Sequence, residues 1–151
     1  MLRKTLSAVI ALAFSSVFAF QALGQTSPED ALDYRKAVMT ALRGHIGASS
    51  MIARGLVAND GHLGGHAEGL AAGAAELHRI FPAGSKVGES EALDSVWDDA
   101  EGFAAAIAAM EEATAAFVEA AKGGDQEAIG GAFRNVGMSC RGCHDNYRVQ
   151  N

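Results

Sequence analysis

Apolar residues return at steps of three, four and seven along almost the whole chain beyond residue 26, and no stretch alternates with period two. Leu32, Met39, Leu42, Ile46, Ala53 and Leu56, with Val38 and Ile52 widening the stripe, predict a first helix with one buried face. Ser27-Pro28-Glu29-Asp30 supplies its start: a hydroxyl cap, proline at the first helical position and two acids at the positive end of the dipole. Asn59-Asp60-Gly61 is its predicted end. A second helix keeps the period through Leu63, Leu70, Ala74, Leu77 and Phe81, weakened by Gly64, Gly65, Gly69 and Gly73, small residues that also let helices approach closely. It stops at Phe81-Pro82-Ala83-Gly84-Ser85, and a polar loop leads to about Glu91. Val96, Phe103, Ile107, Met110, Thr114, Phe117 and Ala121 form the seam of a third helix. After Gly123-Gly124-Asp125 a fourth carries Ile129, Phe133, Val136, Cys140, Cys143 and Tyr147. Four amphipathic helices joined by short or moderate connections predict an all-α fold, an antiparallel four-helix bundle of up-down-up-down order.

The chain before the first helix has another pattern. Arg3 and Lys4, an apolar run from Leu6 to Phe20, and small residues at Ala22 and Gly24 read as a secretory signal peptide over residues 1–24, with cleavage after Ala19 as the second choice. The run is short for a membrane span and no stop-transfer pattern follows, so no membrane insertion is expected after cleavage. Residues 25–151 are then one exported domain. They carry ten basic and eighteen acidic residues, a net charge of −8, which makes nucleic acid and anionic lipid poor partners.

Export invites disulfides, yet the chain has two cysteines and both stand in Cys140-Arg141-Gly142-Cys143-His144. Two thiols three residues apart with a histidine directly behind the second are what covalent haem attachment requires: each sulfur adds to a vinyl group and the imidazole binds iron. On a helix Cys140, Cys143 and His144 lie within about one turn of each other, so they can address one edge and one face of a flat macrocycle. His144 stands roughly 8–10 Å from the end of the last helix, and Met39 roughly 16 Å from the start of the antiparallel first helix. Met51 lies further along, Met110 is deep in the third helix and Met138 shares the helix of His144, so Met39 is the thioether expected on the opposite face of the iron. The rival readings of the motif are a dithiol redox pair, which would normally open a helix after a strand, and half of a zinc site. Zinc needs two further ligands, for which His62 and His66 alone have helical spacing. No general base, nucleophile or substrate pocket is evident, so no enzyme is expected.

Tyr34-Arg35 followed by Met39 on the first helix, and Cys-Arg-Gly-Cys-His-Asp-Asn-Tyr-Arg closing the last, resemble the class II cytochromes c, the cytochrome c′ family. The resemblance spans residues 25–151. It implies a periplasmic protein with one covalent haem c, and Arg35 and Arg148 binding or screening the haem propionates or bracing the histidine side. The family has two branches. In the low-spin branch, the cytochrome c-556 type, a first-helix methionine is the sixth ligand and the protein passes electrons to redox protein partners. In the high-spin branch the iron is five-coordinate behind an apolar residue and takes a diatomic gas, nitric oxide or carbon monoxide. The run Arg35-Lys36-Ala37-Val38-Met39 and the entry Leu77 to Ser85 resemble the low-spin branch more, so an electron carrier ligated by His144 and Met39 is the first expectation and a gas-binding protein the second. A homodimer through the first two helices is a further implication.

Overall fold

The structure, a computed structural model, describes residues 26–150; the signal peptide expected over residues 1–24 lies outside the described residues. The chain forms α1 (Pro28–Ala53), α2 (His62–Glu76), the short α3 (Ser95–Asp98), α4 (Ala100–Gly123) and α5 (Gln126–Tyr147). The four long helices make the expected bundle. α4 packs most extensively on α5 and then on α2, α1 packs on α2, and the α1–α5 contact that closes the ring is light.

Local chemistry sets the boundaries. Ser27 Oγ accepts from the Asp30 amide at 3.0 Å, and Pro28 follows it as the first helical residue. α1 ends earlier than its apolar pattern predicts. Gly55 adopts φ +70°, a left-handed conformation open to glycine, and Leu56 and Val57 turn their amides back to the Met51 carbonyl at 2.9 and 3.2 Å. Leu56, expected on the buried stripe, is therefore outside the helix and 58% exposed. Asn59-Asp60-Gly61 leads into α2 instead of ending α1.

The third predicted helix is divided. Asp99 leaves helical geometry between α3 and α4 and caps α4 by accepting from the Gly102 amide at 3.1 Å. Asp125 Oδ1 caps α5 by accepting from the Ala128 amide at 2.8 Å. The last helix ends at the extended Arg148, where Leu93 and Val149 amides donate to the Tyr147 and Glu91 carbonyls at 3.0 and 2.8 Å and Ala92 and Arg148 form an antiparallel bridge. The end of α5 is thus tied to the segment that precedes α3.

The core follows the predicted seams. Leu63, Leu70, Ile107, Phe117, Ile129 and Val136 are at most 3% exposed. Phe81, Phe103 and Tyr147 stack edge to face at centroid distances of 5.0 and 5.1 Å near the end that holds the cysteines. Between α1 and α2 the glycines let the helices close. A Cβ on Gly73 would fall 2.5 Å from Leu42 Cδ2, and one on Gly69 would fall 2.5 Å from the His45 ring. Gly64 and Gly65 have open space, so the close approach rests on the second half of the glycine run.

Candidate haem site

Cys140, Cys143 and His144 lie on the last two turns of α5, and all three are half-buried. Both cysteines are free and pack on the core. Burial pushes both thiols above their ordinary value, with mutual repulsion adding to the shift at Cys143. Cysteines that react as thiolates have the opposite tuning. Among the described residues no three His, Cys, Asp or Glu side chains are grouped to hold a metal, and the zinc reading gains no further ligand.

Burial also lowers the pKa of His144, and the nearby Arg148 charge lowers it further, against smaller opposite effects of Asp145 and Glu91. Neutral imidazole is the form that ligates iron. Arg148 itself is held by Glu91, with Nη2 at 2.6 Å and Nε at 2.8 Å from the same carboxylate oxygen. Its side chain lies on the exposed surface, close enough to His144 for its charge to be felt there.

Arg35 is placed differently. It is 5% exposed, and its guanidinium donates to the Ile80 carbonyl at 3.1 Å, Ser85 Oγ at 2.9 Å, the Ser85 carbonyl at 2.9 Å and Ser90 Oγ at 3.2 Å, with the Phe81 ring beneath it at 4.8 Å. The ion pairs among the described residues do not include it. Burial lowers its pKa, yet a guanidinium stays charged at any physiological pH. Its charge is met by four neutral oxygens, two carbonyls and two hydroxyls.

Met39 is half-buried and packs against the core, as do its neighbours Val38 and Leu42. The methionine that touches the cysteine pair is another one. Met110 on α4, 4% exposed, has its sulfur 3.7 Å from Cys140 Sγ and 3.2 Å from Ser139 Oγ. Helical period placed Met110 on the α4 seam, but only the register between α4 and α5 brings it to Cys140.

Two thiols and an imidazole on the closing turns of the last helix of a four-helix bundle point to a class: c-type haem proteins of that architecture. A family model described as Cytochrome C' matches residues 30–148. The chain belongs to the cytochrome c′ family, and so binds one covalent haem c. It is 34% identical over 123 residues to cytochrome c′ of Pararhodospirillum photometricum, which covers 81% of this chain and 98% of that protein. It is 38% identical over 146 residues to cytochrome c-554 of Cereibacter sphaeroides, covering 92% and 94%. Two solved variants of cytochrome c′ from Alcaligenes xylosoxidans, one with nitric oxide and one with carbon monoxide, have a TM-score of 0.78 with this structure. They are 29% and 30% identical to it and match 85% and 84% of this chain and 100% of theirs.

Proposed function

We propose that this protein is a periplasmic cytochrome of the gas-binding kind, with the haem carried on Cys140 and Cys143, His144 as the proximal ligand and Met39 as an unbound wall of the distal face. The order of preference reached from sequence alone is thereby reversed. The observation that carries the change is the likeness, over five-sixths of the chain, to cytochromes c′ solved with nitric oxide or carbon monoxide. Ligation by Met39 has no comparable support: its side chain is accounted for as a core residue of α1.

When bound, haem supplies an iron centre that exchanges single electrons and takes a diatomic ligand. The protein's part is to hold and surround it. Cys140 and Cys143, one turn apart, would fix its edge to α5; His144, kept neutral by burial and by Arg148, would offer its ring nitrogen; and Arg35 would add a buried positive charge. Val38 and Met39, half-buried on α1, would supply an apolar wall to the opposite face, while Leu42 packs over Gly73 of α2. Residues 1–24 export the chain and are removed, and no catalytic turnover is assigned.

Titration of the reduced protein with carbon monoxide, followed by its optical spectrum, tests this reading. One equivalent should bind saturably, and Met39→Ala should speed the binding by widening the distal face. Failure to bind contradicts the proposal. The second reading, an electron carrier with Met39 bound to iron and redox protein partners, rests on the place of Met39 on α1 and on the 38% identity to a relative named cytochrome c-554.

A further inference from the structure

At the middle of the α1–α2 interface, away from the cysteines, two histidines face each other across the helices. His45 Nδ1 lies 3.2 Å from His66 Nδ1, and the rings meet at 60° with centroids 5.5 Å apart. The approach is built into the backbone. Gly69, one turn beyond His66 minus one residue, has no side chain where the His45 ring lies, and a Cβ there would sit 2.5 Å from Cε1 and Nε2 of that ring. His66 also borders a surface cavity of about 360 Å³ with Ala48, Met51 and Ile52 of α1 and with His62, which stands one turn before it on the same face of α2.

Two neutral imidazoles can share one hydrogen bond at this distance. The same spacing is also that of two ligands on one ion: nitrogens bound at 2.0–2.1 Å with a tetrahedral angle between them stand about 3.3 Å apart. Imidazole nitrogen suits zinc, copper and nickel, whereas magnesium and calcium need oxygen donors. The cavity leaves room for water to complete the coordination.

We infer that His45 and His66 form a cross-helix chelate for a borderline divalent transition ion such as zinc, which clamps α1 to α2 independently of the haem. Spacing along one helix groups His62 with His66, whereas His45 joins His66 only through the register of two different helices.

Calorimetric titration of the haem-loaded protein with Zn²⁺ tests this, since zinc is redox-silent and leaves the iron centre unaltered in oxidation state. One equivalent should bind and raise the melting temperature. His45→Ala and His66→Ala should each weaken binding roughly tenfold or more, and Gly69→Ala, which displaces the His45 ring while keeping both ligands, should weaken it roughly tenfold. His78→Ala, at an exposed histidine paired with Glu111 elsewhere on the surface, should change nothing. Absence of stoichiometric binding, or binding that survives both His45→Ala and His66→Ala, would overturn the inference and leave a hydrogen-bonded imidazole pair.

Discussion

Arg35 and Tyr34 are adjacent on α1 and do opposite kinds of work. Arg35 gathers the 80–90 segment by donating to two carbonyls and two hydroxyls while shielded from water. Arg35→Ala leaves those buried acceptors unpaired and should lower stability by about 2–3 kcal/mol in chemical denaturation. Arg35→Lys should not restore it, because an ammonium cannot present the planar fork that reaches all four. Tyr34 is 45% exposed and donates to Glu76 Oε2 at 2.8 Å, while Arg79 donates to the Tyr34 hydroxyl at 3.0 Å and to Glu76 at 2.7 Å. The tyrosine bond, more than Arg79, holds the Glu76 carboxyl below its ordinary 4.5. A carboxylate with a depressed folded-state pKa contributes stability that is full above its unfolded value and is lost as pH falls through the folded one. Tyr34→Phe should therefore melt below the parent at pH 7, and thermal scans should show the gap closing as the pH falls well below 4.5. A gap independent of pH would mean that the bond to ionised Glu76 is not its source.

At the scale of the elements, Asp99 is the hinge on which the cysteine end of the bundle is set. It caps α4 and also accepts from the Tyr147 hydroxyl at 2.8 Å, so one carboxylate joins the start of α4 to the end of α5. Asp99→Ala should cost about 1–2 kcal/mol, the sum of a cap and a hydrogen bond. In a double-mutant cycle with Tyr147→Phe, the coupling should account for the second part alone. The seams of these helices were legible beforehand, since Ile107, Met110, Thr114 and Phe117 repeat with the period of one buried face and are buried together. The end of α1 was not. Leu56 fits the period, but periodicity says nothing of a left-handed Gly55 about one turn ahead of the obvious turn residues. The break at Asp99 was hidden likewise, because Val96 and Phe103 stay on one side through it. The placing of the Cys140–His144 motif on the last helix was legible from the period of α5. Met110 beside Cys140, and His45 beside His66, are facts of register between helices, which no single-helix pattern contains.

For the molecule as a whole, α1 closes on α5 only lightly, and Cys140 and Cys143 lie half-buried beside the core. The macrocycle is the largest apolar group available to fill that side, and a group bound by the folded state alone stabilises it. The double variant Cys140→Ala/Cys143→Ala, which cannot form the thioethers, should lose the sharp transition of the parent in circular-dichroism melts. An unshifted, equally sharp melt would show that the helices suffice by themselves. What distinguishes a gas-binding protein from an electron carrier here is a single coordination bond on the α1 side of the iron. The optical spectrum of the oxidised protein, compared with that of Met39→Ala, reads that bond directly. A high-spin spectrum, without a methionine-to-iron charge-transfer band and retained in the variant, is the predicted result; a low-spin spectrum whose charge-transfer band disappears in Met39→Ala would contradict it.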